Sequence, residues 1–121
     1  MWPKSWIAGK ENALRELQEW SGATAQAWEY SVSHSQLLIR LHREGSGGIG
    51  SLFVLLKCCE RVSFENTWAD ANIAIEESSG KYGPAFTVTD ADRLSVVASV
   101  VFVTRLEHYG IRLRDQIEEN A

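Results

Sequence analysis

Ile49-Gly50-Ser51-Leu52-Phe53-Val54-Leu55-Leu56-Lys57-Cys58-Cys59-Glu60-Arg61-Val62-Ser63-Phe64 is the densest apolar run with strand character in this chain. Its even positions Leu52, Val54, Leu56, Cys58, Val62 and Phe64 fall on one side of an extended strand, interrupted only by Glu60. Its odd side begins apolar with Phe53 and Leu55 and turns polar at Lys57. The pattern predicts a central strand over 50–64, buried on both faces at first and on one face later.

The neighbouring segments read as packing around that strand. Lys10 to Trp20 places Ala13, Leu14, Leu17 and Trp20 at helical spacing, with charged and polar residues on the remaining arc, and Gly22 follows as a stop signal. A helix over 10–21 is expected. Ala27 to Ser33 alternates with Trp28, Tyr30 and Val32 on one side, whereas Leu37, Ile39 and Leu41 have the opposite parity. A straight strand cannot change parity and keep its apolar face inside, so Ser33-His34-Ser35-Gln36 predicts a turn or bulge between strands 27–33 and 36–44. Further strands are expected over 71–77, 84–89 and 94–106. In the last of these, five valines and Phe102 within eight residues favour a strand over a helix that would be apolar nearly all round.

The fold class expected is therefore α+β: a single domain, 1–121, built on an antiparallel sheet of about six strands that curls as a meander, sandwich or open barrel. Residues 1–9, with Trp2, Trp6 and Ile7, read as a cap or arm, and Tyr109, Leu113 and Ile117 recur at every fourth position in 107–121, as in a short terminal helix.

Composition excludes several function classes. A net charge of −4 and scattered Lys and Arg leave no basic footprint for nucleic acid. No run approaches the roughly 20 apolar residues of a spanning helix, and the first residues lack a leader-like apolar core. The expected address is cytoplasmic. Cys58 and Cys59 are adjacent, a spacing that would distort any disulfide between them, so they read as reduced thiols.

Motifs with a chemical meaning are few. Gly45 to Gly50 is rich in glycine but lacks the Gly-Lys-Ser/Thr signature and precedes a strand, so it reads as a connection and not as a phosphate cradle. His34, His42, His108 and the two cysteines show no ligand spacing, and no metal or other cofactor is expected. Three residues define an alternative pocket: Glu60, whose carboxylate falls on the apolar side of the central strand, with Cys59 and His42, a set that acid-base or thiol chemistry would use. Against it stands a bulge at Cys58-Cys59 that re-aims Glu60. Trp68, with Asn66 and Asp70 beside it, mixes a large aromatic with short polar groups and marks a candidate contact loop, while a plug for the sheet core is the competing reading. With Trp2 and Trp6 it completes the expected binding residues of a small non-enzymatic interaction module that pairs as a homodimer.

Overall fold

A computed structural model describes residues 7–43 and 51–106. Within them lie one helix and ten strands in two antiparallel sheets. In chain order these are β1 (Ile7–Ala8), α1 (Lys10–Glu19), β2 (Thr24–Ser31), β3 (Gln36–His42), β4 (Ser51–Lys57), β5 (Arg61–Phe64), β6 (Thr67–Trp68), β7 (Ala74–Gly80), β8 (Gly83–Asp90), β9 (Leu94–Ala98) and β10 (Val100–Leu106). The larger sheet runs β1-β10-β4-β3-β2-β6 and the smaller β5-β9-β8-β7. No helix among the described residues is long and apolar enough to cross a membrane.

The expectation of about six strands is corrected to ten among the described residues: both long apolar runs bend into two strands each, and the two-residue strands β1 and β6 are added at the edges of the larger sheet. Residues 51–57 pair with 100–106, and 61–64 pair with 94–97. Lys57 is paired with Val100 and Arg61 with Val97, so Cys58, Cys59 and Glu60 on one arm oppose only Ala98 and Ser99 on the other. One extra residue on one arm of an antiparallel ribbon is a bulge, which bends the ribbon and leaves its pairing intact on either side. Cys58 takes a left-handed conformation (φ 56°) at the bend. There the Glu60 N–H donates to Val97 O at 2.8 Å and the Ser99 N–H to Lys57 O at 3.1 Å. The same bend explains the valines: inward positions are even in β9 (Leu94, Val96, Ala98) and odd in β10 (Val101, Val103).

One apolar core fills the space between the sheets and α1. It joins Leu37, Ile39 and Leu41 of β3, Leu52, Val54 and Leu56 of β4, Ile75 and Val88 of the smaller sheet, and Ala13 and Leu17 of α1. The helix starts at Gly9, whose φ of 100° suits glycine, and the chain leaves it through Gly22 at φ 88°. Arg105 of β10 donates to Glu16 at 2.6 Å and also pairs with Glu19, tying the exposed side of α1 to the larger sheet.

β4 is buried on both faces from Ser51 to Leu56, as its sequence predicts. The turn between β2 and β3 occupies 32–35, one residue ahead of the expected 33–36, so Val32 lies exposed in the turn and Gln36 begins β3. The inward side of β2 differs from the alternation read in its sequence. A register shift between Ala27 and Glu29 puts a bulge at Trp28. Trp28 therefore joins Phe53 and Leu55 on the outer face of the larger sheet, while Tyr30 meets Phe64 with ring centroids 5.6 Å apart. The predicted C-terminal helix, Trp2 and Trp6, and the glycine-rich connection lie outside the described residues.

Candidate functional site

Trp68 ends the two-residue strand β6 at the edge of the larger sheet, paired with Ala25 of β2. Its side chain is 4% exposed, and its indole N–H donates to Asp90 Oδ2 at 2.8 Å. The same oxygen accepts the Asn72 backbone N–H at 2.8 Å. Asp90 closes β8 in the other sheet and is itself buried. Buried polar groups are retained where they are hydrogen-bonded, and here both ends of the bond find partners. Trp68 is thus the plug of the core and the link between the two sheets. It offers no contact surface.

Asn66 and Asp70 are exposed on either side of it. The Asn66 carbonyl accepts the Ala27 N–H at 2.8 Å, and Asp70 is left-handed (φ 52°). Asp70, Ser21, Thr24 and Arg43 line an open depression of about 510 Å³ beside the end of α1.

Glu60, Cys59 and His42 are not brought together. Cys59 follows the Leu56 end of β4, where its N–H donates to Ser35 O at 2.9 Å, and His42 closes the opposite end of β3. The length of β3 separates them, roughly 20 Å at a strand's rise per residue. Burial pushes the Cys59 thiol up to about 11, opposed by a backbone hydrogen bond at Leu37. About one molecule in ten thousand would carry its thiolate at neutral pH, the reverse of an activated nucleophile. Its Sγ donates to Leu56 O at 3.4 Å.

Glu60 sits at the bend between the sheets, exposed to solvent, and its Oε1 accepts the Lys81 N–H at 2.7 Å. The carboxylate thereby fastens the β7–β8 turn against the start of β5. Space for it exists because residue 80 is glycine: a Cβ there would lie 1.9 Å from Glu60 Oε2. The function of this carboxylate in the fold is positional. A depression of about 470 Å³ beside it is lined by Arg61, Ser79 and Lys81, and among the described residues its lining holds no second acid, histidine or thiol.

No cluster of three or more potential metal ligands occurs among the described residues. In the β2–β3 turn exposed His34 places its Nδ1 3.0 Å from Ser33 Oγ and 3.4 Å from the Oγ of Ser31 at the end of β2, on an open turn without the enclosing walls a substrate needs. Two structural residues were not singled out from the sequence. Asp90 lay in turn composition, and nothing in its neighbours flags a tryptophan 22 positions away; Gly80 read as one turn glycine among several. Compared with protein families, curated proteins and solved structures, the chain matches none.

Proposed function

We propose that this protein is a small non-enzymatic interaction module that self-associates through the open edge of its smaller sheet. The observation that carries this reading is β7. Among the described residues the other three sheet ends are β1 and β6, of two residues each, and β5, of four, whereas β7 runs for seven residues in unbroken register with β8. Short edges resist pairing with another chain, and a long regular one with free N–H and C=O groups invites it. Every side chain of β7 from Ala74 to Ser79 except Ile75 is exposed. The two sheets on one core support a sandwich-like arrangement whose strands turn from one layer into the other. Two free cysteines support a reducing compartment such as the cytoplasm.

A two-fold pairing of β7 with its copy, centred on Ser78, sets Glu76 of one copy opposite Gly80 of the other and Glu77 opposite Ser79. That register avoids like charges face to face, which a centre on Glu77 would not. Light scattering coupled to size exclusion tests it across a concentration series to several hundred micromolar. The parent chain is expected to reach a dimer, and Ser78→Lys, which sets two lysines against each other at the axis, is expected to return it to a monomer with unchanged circular dichroism. A parent that stays monomeric throughout, or a Ser78→Lys dimer as tight as the parent's, would overturn the proposal.

A further inference from the structure

Pro84 decides which groups of the β7 edge are free. It pairs with Ser79 and has no N–H, so theirs must be a non-hydrogen-bonded pair of the ladder. The hydrogen-bonded pairs of β7 and β8 are then the alternate ones, Gly80 with Gly83, Ser78 with Ala85 and Glu76 with Thr87. Ile75, Glu77 and Ser79 therefore turn their N–H and C=O groups to the open side. The next residue of that parity, Lys81, begins the β7–β8 turn, and its N–H is taken by Glu60 Oε1 at 2.7 Å. The edge thus has two unlike halves. Exposed Glu76 and Glu77 make one half acidic. The other ends in the turn, where Lys81 carries a cation and Tyr82, 81% exposed, is the most exposed large apolar side chain among the described residues. The Lys81 ammonium lies 5.5 Å from the centre of the Tyr82 ring.

We infer that Lys81 and Tyr82 of one copy dock on the acidic half of β7 in the other, and that this contact makes the edge selective for a second copy of this chain. The inference rests on the self-association proposed above and names the contacts that choose the partner. Antiparallel pairing must set open-sided residues against open-sided residues, and an axis on Ser78 does so: Glu77 meets Ser79 of the other copy in a hydrogen-bonded pair on either side of the axis. Carried on into the turn, the same register sets Lys81 opposite Ile75 and Tyr82 opposite Ala74, at both ends of the ribbon by symmetry. Neighbours diagonal to such a pair are within reach of long and aromatic side chains. For Lys81 they include Glu77 of the other copy, and for Tyr82 they include Glu76. The two Glu77 carboxylates are themselves diagonal across the axis, so this edge would repel its copy if the turn brought no cation. Lys81 supplies one to each, and Gly80, which has no side chain, leaves room opposite Glu76. An edge strand without this order of charges gains the backbone bonds alone.

Charge exchange, read by sedimentation equilibrium at low salt, tests the contact. Lys81→Glu and Glu77→Lys each bring like charges together and are expected to weaken the dimer by about tenfold or more. Mixed one to one they are expected to regain at least the affinity of the parent, because the contacts between the two variants then join opposite charges. Recovery on mixing also excludes misfolding as the cause of the loss. Tyr82→Ser, at a site too exposed to serve the fold, is expected to weaken the dimer and leave the urea midpoint unchanged. Variants that pair as tightly as the parent, or a mixture no tighter than its components, would overturn the docking of the turn. With Ser78→Lys monomeric, that result leaves the β7 edge as the interface without its turn; a parent monomeric throughout removes both.

Discussion

The bond between Trp68 and Asp90 joins the edge of one sheet to the end of a strand in the other, so its removal should destabilise the whole domain. Trp68→Phe keeps an aromatic ring in a site that is 4% exposed but deletes the indole N–H that reaches Asp90 Oδ2 at 2.8 Å. A hydrogen bond to a carboxylate contributes about 1.5–3 kcal/mol. The smaller ring forfeits about 1 kcal/mol more in buried apolar surface and packing. Together they predict a loss of about 2.5–4 kcal/mol. Asp90→Ala removes the acceptor for both the indole and the Asn72 N–H, and its expected cost is about 2–4 kcal/mol. The double variant isolates the pair. If the bond acts as described, the two losses fall short of additivity by about 1.5–3 kcal/mol. Urea unfolding followed by far-ultraviolet circular dichroism is the assay, since five tryptophans would blur a fluorescence signal. A coupling below about 0.5 kcal/mol would refute the clasp and leave Trp68 as apolar filling alone.

The Cys59 thiol makes a prediction about pH. Its value rises from 9.0 to about 11 on burial, so the folded state holds the thiol proton more tightly than the unfolded state does. The stability this contributes is whole below pH 9 and is lost as pH climbs through about 11. The full rise would be worth about 2.7 kcal/mol, and solvent access to this half-buried group brings the expectation to about 1–2 kcal/mol. The parent should therefore lose that much more stability than Cys59→Ala between pH 8.5 and 11, and equal losses in the two proteins would contradict the assignment. Iodoacetamide at pH 8 should label exposed Cys58 in the native protein and reach Cys59 only on unfolding, as intact mass would show. Gly80→Ala should cost about 1–2 kcal/mol by displacing Glu60 from the Lys81 N–H, and less in a Glu60→Ala background, where the contact with Ala85 Cβ at 3.3 Å remains and the clash with the carboxylate is gone. Equal costs in both backgrounds would sever the link between the two residues.

The legible parts of the fold were those whose signal lies within a few residues. Ala13, Leu17 and Trp20 show the helix because they recur at its period. Leu52 to Leu56 shows the central strand because burial on both faces leaves no polar position in the run. The turn at 32–35 was readable because the strands on either side have opposite parity. The bend at Cys58–Glu60 was only partly legible. Glu60 broke the alternation, but alternation cannot distinguish a carboxylate inside the core from one at a corner, since both look like one polar residue in an apolar series. The deciding fact is the shift in pairing against Ala98 and Ser99, and pairing is set between segments far apart in the chain. The buried position of Trp68 was illegible for the same reason. Its polar neighbours Asn66 and Asp70 suggested a wet loop, while the group that satisfies its indole, Asp90, arrives from another sheet. His42 ends β3 and Cys59 follows β4 on the neighbouring strand, but the register puts them at opposite ends.

The bent ribbon also determines which surfaces of the domain are independent of each other. β4 and β10 carry on past the bend as β5 and β9, and new strands are added on opposite sides of the ribbon: β3, β2 and β6 beside β4, β8 and β7 beside β9. The outer face around Phe53 and Leu55 therefore belongs to one sheet and the β7 edge to the other. Ser78→Lys should abolish β7 pairing and leave amide exchange in β3 and β4 unchanged. If exchange in β3 and β4 changed with it while the far-ultraviolet circular dichroism stayed that of the parent, the two surfaces would be one, and the site of self-association would have to move to the outer face of the larger sheet.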